Sequence, residues 1–92
     1  MKPLKHHTLI NRNDNTAVGI VYGIDDQGQF QFAALQNHVI RFGSATLKEM
    51  HDNGYNILLS IELHKKMFEE MREHAGLPDG FETIEDVEYI ND

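Results

Sequence analysis

Three short turn-prone triplets cut the first half of the chain into four segments of alternating character, and this spacing constrains the fold most. Asn13-Asp14-Asn15, Asp26-Gln27-Gly28 and Gln36-Asn37-His38 separate segments 4–12, 16–25, 29–35 and 39–42. The triplets are rich in residues that tolerate turn geometry, and segments joined so tightly pair as antiparallel hairpins.

Register follows from asking which loop length gathers apolar residues on one face. With 26–28 as a three-residue loop and Gly28 left-handed, Ile24 falls opposite Phe30, Tyr22 opposite Phe32 and Ile20 opposite Ala34. A two-residue loop sets the same phenylalanines against Gly23 and Val21. Loops of three at the other two triplets pair Phe32 with Phe42, Ala34 with Ile40, and Ile10 with Val18. The expected apolar face is Ile10, Val18, Ile20, Tyr22, Ile24, Phe30, Phe32, Ala34, Ile40 and Phe42. Gly19, Val21, Gly23, Gln29, Gln31, Ala33 and Arg41 form the expected wet face. A sheet with one dry face needs a helix to cover it.

That helix is predicted over Ile61–Ala75, with Ser60 as N-cap, Gly76 as the stop and Pro78 two residues later. Its apolar stripe is Ile61, His64, Met67, Phe68, Met71 and Ala75, at three- and four-residue spacing. A shorter helix is predicted over Leu47–Asp52, where Thr46 and Glu49 form a capping box and Gly54 ends the element. Tyr55–Leu59 is a brief apolar run expected to add a fifth strand. Segment 83–90 fits a short helix or a strand equally. The fold class is therefore α+β: an antiparallel meander of three to five strands, packed on one face by the helix at 61–75, with short additional helices. Ninety-two residues suffice for one such domain, since two cores would each be too small to stand without disulfides or metals.

Charge is unevenly placed. Residues 1–12 carry +3, residues 13–78 carry −4, and residues 79–92 carry six acids and no base. A net charge of −7 argues against a general nucleic-acid binder, so no nucleic-acid partner is expected. The acidic segment also holds Phe81, Ile84, Val87, Tyr89 and Ile90, more apolar bulk than a solvating tail carries. It is expected to dock on its own domain or on a twin subunit, and the other reading is a recognition surface in which Glu82, Glu85, Asp86 and Glu88 meet a basic partner. No apolar run is long enough for a bilayer, and the first residues lack the apolar core of a signal peptide, so a cytoplasmic protein without membrane contact is expected.

Chemistry is sparse. The absence of cysteine excludes thiol nucleophiles, disulfide frameworks and thiolate metal sites. Six histidines raise the question of metal, yet no two stand four apart on the helix, and adjacent His6 and His7 point to opposite faces of a strand. Glu70 and His74 are four apart and make half a site; an i, i+4 ion pair at the helix C-terminus accounts for them. His64 lies on the apolar stripe, where a core-edge histidine is the expected role, and Ser44 and Ser60 sit beside turn or cap signals. The Phe42-Gly43-Ser44-Ala45 stretch lacks the second glycine of a nucleophile elbow, and no glycine-rich loop precedes a helix. No catalytic residue, metal or cofactor is assigned.

Two function classes remain. The leading one is a non-catalytic interaction module, expected to be a homodimer. It would bind a protein partner through the acidic segment or through the flat sheet face of Gln29, Gln31 and Arg41, and its size and charge suit an accessory product of a phage or mobile element. The alternative is a small-molecule binder or small enzyme with a pocket between sheet and helix, drawing on Tyr22, Arg41 and His64.

Overall fold

The turn at Asp25 takes the register the sequence implies. The Asp25 carboxylate accepts the N–H groups of Gln27 and Gln29, both at 2.9 Å, and Gly28 has a φ of 78°. A computed structural model describes residues 1–76; segment 77–92, including the expected element at 83–90, lies outside the described residues. The elements are β1 (Lys2–Asn11), β2 (Ala17–Ile24), β3 (Phe30–Gln36), β4 (Val39–Ala45), α1 (Leu47–Asp52), β5 (Tyr55–Leu59) and α2 (Ile61–Ala75). The five strands form one antiparallel sheet in the order β4-β3-β2-β1-β5. The first four make the meander, and α1 carries the chain across the sheet so that β5 pairs with the free side of β1.

Beyond the Asp25 turn the expected register fails, for a local reason. Ile24 pairs with Phe30 as expected, but β2 is irregular between Val21 and Gly23, and it is Val21 that pairs with Phe32 and Ile20 with Ala33. One extra residue at Tyr22 reverses which side chains share a face for the rest of the hairpin. At the second hairpin the loop has two residues, not three. Gln36 pairs with Val39, and Asn37 and His38 both have left-handed φ values, 51° and 64°, as a type I′ turn requires. Phe32 therefore faces Gly43 and Ala34 faces Arg41, in place of the expected Phe42 and Ile40. At the first hairpin Ile10 pairs with Ala17 rather than Val18.

These shifts put apolar residues on both faces, so no face is simply wet. On one, Ile20 and Ala33 pack against Met67, Phe68 and Met71 of α2, with Ala17, Tyr22, Leu35 and Ile40 around them. On the other, Leu9 and Val21 pack against Met50 of α1, with Phe30, Phe32, Ala34, Tyr55 and Ile57 nearby. Val21 and Ala33, expected on the wet face, are fully buried. A side chain such as Phe68 contributes about 1.5–3 kcal/mol by leaving water, so α2 is held chiefly by this stripe.

Both helices start where their caps stand. The Thr46 hydroxyl accepts the Glu49 N–H at 3.2 Å and the Glu49 carboxylate accepts the Thr46 N–H at 3.0 Å. The Ser60 hydroxyl accepts the Leu63 N–H at 3.2 Å, and Gly76 closes α2 with a φ of 64°. His64, Met67, Phe68 and Met71 are buried as expected, whereas Ile61, placed on the stripe by its spacing, is 50% exposed.

Candidate functional site

The corner where β1 meets the start of α2 is made by a distortion of β1. Between Pro3 and His7 the strand advances four residues while β2 advances two, from Gly23 to Val21. The surplus is absorbed around His6, which is left-handed at a φ of 60°. Its carbonyl then accepts the N–H of Ser60, the N-cap of α2, at 2.9 Å. The bulge and the helix start thus hold each other in place.

Three histidines gather there. His7 Nδ1 lies 2.6 Å from the Lys5 carbonyl and donates to it. The buried His6 ring meets the His64 ring edge-on at 6.1 Å between centroids, and His64 stacks on Phe68 at 6.3 Å. Burial, followed by the charges of His6 and His7, lowers the His64 pKa to about 4. Near neutral pH its ring is therefore an uncharged packing group. Among the described residues no group of three or more His, Asp or Glu is placed to hold a metal ion.

Outside this cluster the surface is apolar. Leu59 is 67% exposed and Ile61 beside it 50%, while Leu58, the preceding strand residue, is exposed on the other face of the sheet. Lys5, His6, Leu59, Ser60, Ile61 and Glu62 line a shallow open depression at the end of β5, an edge strand. The outer edge of β5 is partly closed: Asn56 Oδ1 accepts the Ile57 N–H at 2.8 Å and lies 2.9 Å from His51 Nε2 of α1. Exposed side chains, more than open backbone groups, are what this corner offers.

On the opposite face a cleft of about 260 Å³ lies between the sheet and α1. Leu9, Phe32, Met50 and Tyr55 form its apolar wall, and Arg41 and Asn53 stand among its polar lining groups. Gly43 is needed for this wall, because a Cβ there would stand 2.7 Å from the Phe32 ring.

The residues singled out from the sequence do not converge. Arg41 lines the α1 cleft, whereas Tyr22 and His64 belong to the α2 side, so no pocket joins the three. Gln31 and Arg41 lie on opposite faces of the sheet, since Gln31 pairs with Ser44 and Ala34 with Arg41. Gln31 Nε2 donates at 3.3 Å to Asp25 Oδ2 and to the Gln29 carbonyl, so both glutamines serve the Asp25 turn. Glu82, Glu85, Asp86 and Glu88 lie outside the described residues. Leu59 and Ile61 were not expected as a surface, although a leucine at the end of a short strand and an isoleucine at the start of the next helix carry that signal.

Comparison with family models, with curated proteins and with solved structures finds no match to this chain. Among the described residues no helix is long and apolar enough to cross a membrane.

Proposed function

We propose that the protein is a non-catalytic interaction module that works as a homodimer, joined through the corner formed by β5 and the first turn of α2. The observation that carries this reading is the pair of exposed aliphatic side chains at Leu59 and Ile61, which line one depression. Side chains of this kind gain most by packing against a partner that presents the same kind of surface. Around a two-fold axis Leu59 and Ile61 of one subunit would pack against the same residues of the other, as in an isologous interface. The dimer would then present two copies of the remaining surface to a protein partner.

Light scattering across a micromolar concentration series tests the reading. The intact chain is expected at twice its 10.6 kDa mass. Leu59→Asp combined with Ile61→Asp should return it to monomer without loss of folded structure, because both side chains are largely exposed. An intact chain that stays monomeric at 100-fold higher concentration would refute the proposal.

The α1 cleft supports a second reading, a binder of small apolar carboxylates. Arg41 makes no ion pair or hydrogen bond among the described residues and stands beside the apolar wall of Leu9, Phe32 and Met50, where it would meet a carboxylate. Benzoate titrated into the labelled protein should shift the amides of Arg41, Met50 and Asn53, and Arg41→Gln should abolish the shifts. Shifts of equal size in the variant would dismiss this reading.

A further inference from the structure

The cleft under α1 runs across the strands, and the strand pairing gives its length. Leu9, Gly19, Ala34 and Arg41 stand opposite one another on the successive strands β1, β2, β3 and β4, so they form one row on the α1 face. Leu9 and Arg41 are therefore three strand spacings apart, about 14 Å. Leu9, Ala34 and Arg41 all line the cleft, which makes this row its floor. Phe32 walls one side. A Cβ at Gly43 would stand 2.7 Å from the far end of the Phe32 ring, so that ring lies over Gly43 on the strand that carries Arg41. Met50 and Asn53 of the α1 region close the cleft from above, and Tyr55 on β5 stands beyond Leu9.

We propose that this cleft takes a straight-chain aliphatic carboxylate of octanoate length, its head on Arg41 at the β4 end and its alkyl chain laid across β3 and β2 to Leu9 and Tyr55. The inference rests on the reading of the cleft as a carboxylate site and names the shape of the ligand. Charge fixes the head group. The Glu49 carboxylate accepts the Thr46 N–H at 3.0 Å, and Asn53 Nδ2 donates to the Glu49 carbonyl at 2.7 Å, so these polar groups are spent on α1 itself. Arg41 makes no ion pair or hydrogen bond among the described residues, and its exposed guanidinium offers two parallel donors to a carboxylate at the cleft mouth. Length fixes the tail. An extended octanoate measures about 12 Å with its end groups, close to the three strand spacings of about 14 Å between Arg41 and Leu9. A benzoate ring is too short to reach Leu9 from the same head position. Volume sets the upper bound: about 260 Å³ lies below the roughly 300–1,000 Å³ of drug-sized pockets, so one alkyl chain fits and a fused-ring ligand does not. Beyond Arg41 the chain would meet Phe32, Ala34, Met50 and Leu9, which suit methylene groups and offer nothing to a second charge.

Titration of the isotope-labelled full-length protein with butanoate, hexanoate and octanoate, each below its micellar concentration, tests the proposal. Each added methylene should tighten binding by about two- to fourfold, so octanoate should bind at least about tenfold tighter than butanoate. Octanoate should shift the amides of Leu9, Gly19 and Tyr55 together with that of Arg41, whereas benzoate should leave Leu9 and Gly19 in place. Octylamine, of equal length and opposite charge, should bind about tenfold more weakly than octanoate. In Arg41→Gln, an exposed position whose replacement leaves the core intact, that preference for the acid should vanish. An affinity that stays flat along the series would overturn the proposal. So would octylamine binding as tightly as octanoate to the original sequence, or octanoate shifts centred on Leu59 and Ile61. Benzoate binding beside a flat series removes this inference and leaves the carboxylate reading standing; no binding by any of the acids removes both.

Discussion

His64 ties the protein's stability to pH. Its ring takes up a proton near 6.5 when unfolded, but only near 4 in the folded chain, where burial and the neighbouring His6 and His7 oppose the charge. Between those values the unfolded state binds more protons. The stabilisation is therefore complete above about pH 6.5 and is lost as pH falls toward 4. The difference is on the order of 3 kcal/mol, so urea midpoints should drop across this window, and His64→Leu should flatten much of the slope. An unchanged slope in the variant would show that other groups carry the acid sensitivity. Thr8 carries an unusual cost inside the sheet. Its side chain is fully buried, and its hydroxyl oxygen has no hydrogen-bond partner among the described residues. Thr8→Val keeps the shape and removes the desolvated hydroxyl, so it should raise stability by about 1 kcal/mol in chemical denaturation. A lower midpoint would mean that the hydroxyl is satisfied.

At the scale of elements, the β3–β4 turn stores backbone strain in His38. A type I′ turn asks for left-handed residues at both central positions, and Asn37 meets that demand more easily than His38 does. His38→Gly should therefore stabilise the hairpin by about 0.5–1 kcal/mol, less whatever the His38–His74 ring contact contributes. Gly28→Val should act in the opposite sense. Its φ of 78° is left-handed while the space around it is open, so the expected loss of about 1–2 kcal/mol comes from the backbone and not from a clash. Thermal melts of the two variants should move apart in opposite directions. The Ser60 cap adds a third case: Ser60→Ala should cost about 1 kcal/mol and loosen the helix start that the His6 carbonyl also holds. The helices were legible because caps, stripe and stop signals act within a few residues of one another. The strands were legible as elements, since turn residues bracket each one.

Local preference determined where α1 and α2 begin and end, that four strands precede them as an antiparallel meander, and that Gly28 turns left-handed. Each of those outcomes depends on contacts spanning a handful of residues. Register did not follow from local preference. A single extra residue at Tyr22 and a two-residue loop at Asn37-His38 each exchange the two faces, and the apolar pattern can be satisfied in either phase when both faces are buried. What decided the phase was tertiary: Met50 of α1 takes Val21 and Leu9 on one side, while Met67, Phe68 and Met71 of α2 take Ile20 and Ala33 on the other. The same cause scattered the residues suspected of function. Arg41 went to the α1 cleft and Tyr22 and His64 to the α2 side, because side chains alternate across a sheet whose phase the chain could not set by itself. The exposed corner of Leu59 and Ile61 likewise exists only because β5 pairs with the far side of β1, a neighbour about fifty residues earlier whose partnership no local pattern encodes.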